Sequence, residues 1–85
     1  MQLILFTRPG CCLCEGLAKR LALISLPFSI ILVNIDKSSK LKLIYNYRVP
    51  VLAQRLNGEC RELAVISPRL KGTGLMNWLT RNIEL

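Results

Sequence analysis

Three of the four cysteines in this 85-residue chain, Cys11, Cys12 and Cys14, crowd into one turn, and Cys60 stands alone and distant. Residues three apart lie on one face of a helical turn, so Cys11 and Cys14 can meet. The apolar run Gln2-Leu3-Ile4-Leu5-Phe6 and the loop Thr7-Arg8-Pro9-Gly10 precede them, which puts the pair where a strand turns into a helix. There Cys11 faces unpaired N–H groups and the positive end of the helix dipole, and both favour a thiolate over a thiol. Arg8 adds a positive charge just upstream. The chemistry this arrangement fits is thiol–disulfide exchange. Cys11 attacks a disulfide, and Cys14, more deeply set, resolves the mixed disulfide. Cys12 and Cys14 are about 200° apart around a helix of ~3.6 residues per turn, so Cys12 reads as a spectator thiol at the rim.

Other uses of the thiols are weaker. Zinc takes four ligands, usually from a second short-spaced pair, whereas this chain has no histidine and only Cys60 outside the turn. No bound metal or cofactor is expected. An iron–sulfur cluster bridging two chains and inert packing cysteines remain as alternatives. A disulfide scaffold would spread its bridges along the chain. No basic segment and no small-residue cleavage site precedes the first apolar run, so the expected setting is a reducing cytoplasm with free thiols.

The elements that must hold this turn follow from periodicity. With 52% apolar and 20% charged residues the chain is too apolar for disorder and too short for two domains, so residues 1–85 are read as one domain. Residues 2–6 form the first strand. A helix follows from about Cys12 to Ser25, with Leu13, Leu17, Leu21 and Ile24 as its buried stripe and Glu15 and Lys19 paired outside. Leu21 to Ile35 runs 15 residues without a charge. A membrane span needs ~20, and Pro27 interrupts this run, so it reads as a helix end, a turn and a strand at 29–34 buried on both faces.

A second helix at about 38–46 starts from Asp36, Ser38 or Ser39 as cap and turns Leu41 and Ile44 or Tyr45 inward. Val51–Leu56 and Glu59–Val65 read as strands joined by Asn57-Gly58, a strong hairpin signal. Ser67-Pro68-Arg69 is a loop. A last helix runs from about Thr73, as N-cap, to Ile83, with Leu75, Trp78, Leu79 and Ile83 inward. The order is β-α-β-α-β-β-α: an α/β four-stranded mixed sheet flanked by three helices, with the first two strands parallel through a right-handed crossover.

In this order, the turn Gly10-Cys11-Cys12-Leu13-Cys14-Glu15 and the strand start Arg48-Val49-Pro50-Val51-Leu52 resemble the glutaredoxin-like family of the thioredoxin-fold superfamily. The resemblance is closest to its small members with a G-C-x-L-C-E turn, and it covers nearly the whole chain. It implies that Cys11 is the nucleophile and Cys14 the resolving thiol. It also implies a cis Pro50 facing them, and Val49 backbone groups that receive an extended peptide or glutathione. Arg8 sits where a lysine meets a glutathione carboxylate. The likeness lapses after the fourth strand, where Ala64-Val65-Ile66-Ser67-Pro68-Arg69 stands in place of a Gly-Gly pair and a nearby Asp. Arg48 replaces a Thr, and no aromatic lies between the thiols. A protein or small-molecule disulfide, with glutathione as a poorer co-substrate, is the implied partner.

The formal net charge of +7 is large for this length, and Lys37, Lys40, Lys42, Arg48 and Arg55 follow one another with no intervening acid. A solvated basic face explains most of this, and nucleic acid is not the expected partner, for want of an aromatic platform. The face could steer acidic proteins or glutathione carboxylates to the thiols. A thioredoxin-fold adaptor binding a partner through that face, without catalysis, is the rival reading.

Overall fold

The computed structural model describes residues 2–67 and 69–84. Pro68, assigned above to a loop, lies outside the described residues. The elements are β1 (Gln2–Thr7), α1 (Cys12–Leu23), β2 (Ser29–Asn34), a 3-10 turn (Ile35–Lys37), α2 (Ser39–Tyr45), β3 (Val51–Leu56), β4 (Glu59–Glu62) and α3 (Gly72–Asn82). The sheet order is β2-β1-β3-β4. β1 runs parallel to β2 and antiparallel to β3, and β4 is antiparallel to β3. The chain therefore has the α/β thioredoxin-like architecture expected from its sequence: a mixed four-stranded sheet and three helices.

Alternation along β1 divides the core between the two faces of the sheet. Leu3 and Leu5 point to one face and pack with Leu17 and Leu21 of α1, Leu52, and Leu75 and Leu79 of α3. Ile4 and Phe6 point to the other, with Ile35, Ala53 and Tyr45 of α2. Trp78 and Ile83 pack partly buried against the first cluster. The Asn57-Gly58 turn has φ of 53° and 81°, the left-handed pair that a two-residue hairpin of this twist requires.

Several boundaries and faces differ from the sequence reading, each for an identifiable reason. β2 is not buried on both faces. It is an edge strand, with Ile31 37% and Leu32 58% exposed, because β1 takes the interior place in the sheet. Leu13 is 56% exposed while Cys14 is fully buried. At ~100° per residue the stripe is centred on Cys14, Leu17 and Leu21, and Leu13 falls at its margin. Of the two residues offered for the inward face of α2, Tyr45 is buried and Ile44 is exposed. Among the three offered caps Ser38 serves, its Oγ accepting from the Leu41 N–H at 3.3 Å. β4 ends at Glu62 rather than Val65, although the Leu63 N–H still donates to the Leu52 carbonyl at 2.9 Å. α3 starts at Gly72, with Lys71 as N-cap and no side-chain cap bond, so Thr73 lies inside the helix.

Candidate functional site

The site is built where β1 ends. After Thr7 the chain turns through Gly10, whose φ of 80° is a left-handed conformation strained for any residue with a Cβ. The Cys11 N–H donates to the Arg8 carbonyl at 3.3 Å and closes this turn. Cys11 is the N-cap of α1, in extended backbone, and its carbonyl accepts the Glu15 N–H at 3.0 Å as the first helical bond. The Cys11 Sγ accepts from the Cys14 N–H at 3.2 Å. The sulfur thus occupies the place a Ser or Asp oxygen takes at other helix starts, where the free N–H groups converge. That placement stabilises negative charge on Cys11 Sγ when the thiol is free.

Cys11 and Cys14 are joined as a disulfide, with Cα atoms 5.2 Å apart, inside the ordinary span of ~4.4–6.8 Å. Their environments are unequal. Cys14 is fully buried against the core, and Cys11 is only half-buried. Of the two sulfur-bearing residues, Cys11 is therefore the one open to solvent. Cys12 and Cys60 are free and exposed, Cys12 in the first turn of α1 and Cys60 on β4. Among the described residues no three His, Cys, Asp or Glu side chains gather as a metal ion would require.

The Val49–Pro50 peptide bond is cis. Phe6 is paired with Val51, so the antiparallel register carried one step further puts Pro50 beside Thr7, at the end of the sheet from which the cysteine turn leaves. Val49 is half-buried, and among the described residues neither its N–H nor its carbonyl has a backbone partner outside the regular elements. Arg48, Pro50, Val51, Glu62, Val65 and Ile66 line a cleft of about 250 Å³ on this side of β3.

Arg8 is engaged within the protein. Its Nη1 donates to both the carbonyl and the Oδ1 of Asn46, each at 2.8 Å, and its Nη2 meets Asp36 Oδ1 at 2.7 Å. Asn46 is the C-cap of α2, so Arg8 ties the residue three before Cys11 to the end of that helix. Asp36 entered the sequence reading as a cap and Asn46 not at all. In the sequence Asp36 stands out only as the one acid between Glu15 and Glu59, which does not by itself link it to Arg8.

A second cation, Arg48, pairs with Glu62 across the cleft mouth and lies over the Tyr45 ring at 5.3 Å. Tyr45 stacks on Phe6 with ring centroids 4.3 Å apart. Burial pushes the Tyr45 phenol above its ordinary pKa, Glu62 and Cys60 push it further, and Arg48 opposes them.

Residues 2–80 match the family model described as Glutaredoxin-like domain (DUF836). No curated protein and no solved structure matches the chain.

Proposed function

Because the chain belongs to the glutaredoxin-like domain family, and its Cys11 and Cys14 meet at a helix N-terminus, we propose that it is a thiol–disulfide oxidoreductase. The observation that carries this reading is the asymmetry of the pair. The reachable sulfur, Cys11, caps the helix, and the partner one turn on is buried. In the reduced protein the Cys11 thiolate attacks a substrate disulfide, forms one S–S bond and expels a thiolate. Cys14 then attacks Cys11 Sγ and releases the second substrate thiol, and the protein is left as the Cys11–Cys14 disulfide. Two electrons have passed to the substrate.

Substrates are protein or small-molecule disulfides. The open backbone groups of Val49, beside the cis Pro50, receive an extended segment as an added strand. Glutathione is a co-substrate of low affinity. Arg8 meets its carboxylate only by sharing or exchanging Asp36, and the stretch after β4 offers no Gly-Gly-Asp element for the γ-glutamyl end. A reducing cytoplasm suits a dithiol that must be regenerated. Among the described residues no helix is long and apolar enough to cross a membrane.

The test is a redox titration of the Cys11/Cys14 pair in glutathione buffers, with mass spectrometry of trapped adducts. Cys11→Ser should abolish disulfide reduction, Cys14→Ser should accumulate a mixed disulfide at Cys11, and Cys60→Ser should change little. Equal loss from all of these substitutions, with the folds intact, would refute a two-thiol mechanism.

A further inference from the structure

The outer face of α2, with the turn that follows it, plays no part in either core cluster and is unusually apolar for an exposed surface. Leu43 is 88%, Ile44 44% and Tyr47 96% exposed. Together with Lys42 and Arg48 they line a shallow hollow of about 700 Å³, within the ~300–1,000 Å³ range of ligand sites. The charged residues of its lining are Lys42 and Arg48, both cationic, with Arg48 paired to Glu62, and Lys40 is carried by the same helix. Lys37, Lys40 and Lys42 are exposed and, among the described residues, have no carboxylate within ion-pair distance. The two acids on this side are already paired, Asp36 with Arg8 and Glu62 with Arg48, which leaves the three lysines as its unpaired charge.

We propose that this face of α2 is the docking surface for an acidic segment, carrying apolar anchors, of a disulfide-bearing protein substrate. The proposal rests on the dithiol reading above and adds the class of substrate. Two observations tie the surface to the thiols. The hollow ends at Arg48, directly before Val49 and the cis Pro50, so a chain lying along Val49 continues into it. The end of α2 is also fastened to Arg8, three residues before Cys11, by the two Asn46 contacts. A segment seated on α2 is thereby held in register with Cys11.

Charge and shape select the occupant. A second copy of this chain would set one lysine-bearing patch against another of the same charge, since a twofold interface uses one patch on both sides. Single-stranded nucleic acid wants successive aromatic faces, and this hollow offers Tyr47 with two aliphatic side chains. An acidic peptide meets the lysines with its carboxylates and the hollow with a Leu or Phe, a combination that speeds encounter by ~10–10³ at low salt.

The experiment uses the full chain, reduced, and two synthetic peptides whose single cysteine is in disulfide linkage to 5-thio-2-nitrobenzoate. One peptide flanks the cysteine with Glu, Asp and Leu, and the other with Lys, Ser and Leu. Attack by Cys11 on the peptide sulfur expels the coloured thiolate, and Cys14 then releases the peptide thiol. Bis(2-hydroxyethyl) disulfide serves as the substrate without a docking segment. The variants are Lys40→Glu with Lys42→Glu, and Leu43→Ser with Tyr47→Ser, all at exposed positions.

The acidic peptide should react at least tenfold faster than the basic one. Each double variant should lose about tenfold with the acidic peptide and nothing with the small disulfide, and added salt should erase only the charge-dependent part. Equal rates for both peptides, or variants that leave the acidic peptide unaffected, would overturn the docking proposal while the dithiol reading stands. A reduced protein inert even toward the small disulfide would overturn the dithiol reading itself, and the proposal with it. Tighter binding of a uridine dodecanucleotide than of the acidic peptide, lost in the lysine variant, would overturn the choice of partner.

Discussion

Replacing Arg8 by alanine removes three contacts at once, two to Asn46 at 2.8 Å and one to Asp36 at 2.7 Å. Their contributions are unequal. The Arg8–Asp36 ion pair is 28% and 37% exposed at its two ends, so water screens it, and it contributes only ~0.5 kcal/mol. The two bonds to Asn46 are part-buried, and water at the partly exposed guanidinium screens its charge, so each contributes an ordinary ~1 kcal/mol net. The expected loss is about 2 to 2.5 kcal/mol. For a domain of this size that lowers the melting temperature by roughly 8–20 °C, at ~4–8 °C per kcal/mol. Urea unfolding followed by the fluorescence of Trp78 measures it directly, with the Cys11–Cys14 disulfide kept intact. Asp36→Asn isolates the ion pair and should cost about a quarter as much, at ~0.5 kcal/mol. Arg8→Lys keeps a charge but loses the fork that reaches two residues, and should fall between the other two. An Arg8→Ala protein within ~0.5 kcal/mol of the parent would refute a structural role for this side chain. Asp36→Asn as damaging as Arg8→Ala would refute the division among the contacts.

Gln54 is a buried polar side chain on β3 that accepts the Glu84 N–H at 2.8 Å, donates to the Glu84 carbonyl and accepts from Arg61 at 3.1 Å. Gln54→Leu should therefore cost ~1–3 kcal/mol and speed amide exchange at Glu84, and unchanged exchange there would contradict the role assigned to it. Folding holds the Tyr45 phenol neutral, its folded pKa raised above the ordinary 10.0 by burial first and by Glu62 and Cys60 next. The stability this contributes is complete below the unfolded pKa of ~10 and is lost as pH rises through the folded one. Urea midpoints of the parent should accordingly fall relative to Tyr45→Phe above that pH, and a constant gap between the two would contradict it. Glutathione-coupled turnover should be slow and should lack saturation at low glutathione, because two or three charge-assisted bonds of ~1.5–3 kcal/mol each have no donor after β4. Arg8→Ala should slow it further, and tight saturation with Arg8→Ala unchanged would show that glutathione is held in another way.

The features readable in the linear chain are those whose cause lies within a few residues. Strand β1 follows from its apolar run. The hairpin follows from Asn57-Gly58, whose two left-handed residues leave little other choice. The meeting of Cys11 and Cys14 follows from helical spacing, and the capping of α1 by Cys11 from its place at the strand-to-helix turn. Tertiary structure decided what depends on neighbours far along the chain. The run at 29–34 looks buried on both faces because its composition is apolar, but burial depends on which strand lies beside it, and β1 has the interior position. Nothing near residue 8 shows that Arg8 finds Asp36 and Asn46, which lie 28 and 38 residues away. The exposed face of α2 is likewise invisible in sequence, because Leu43, Ile44 and Tyr47 carry the apolar signature of a core. The packing of Tyr45 and Leu41 against the Phe6 cluster fixes the rotation of that helix, which turns Leu43 and Ile44 to solvent, while Tyr47 stands exposed in the turn that follows.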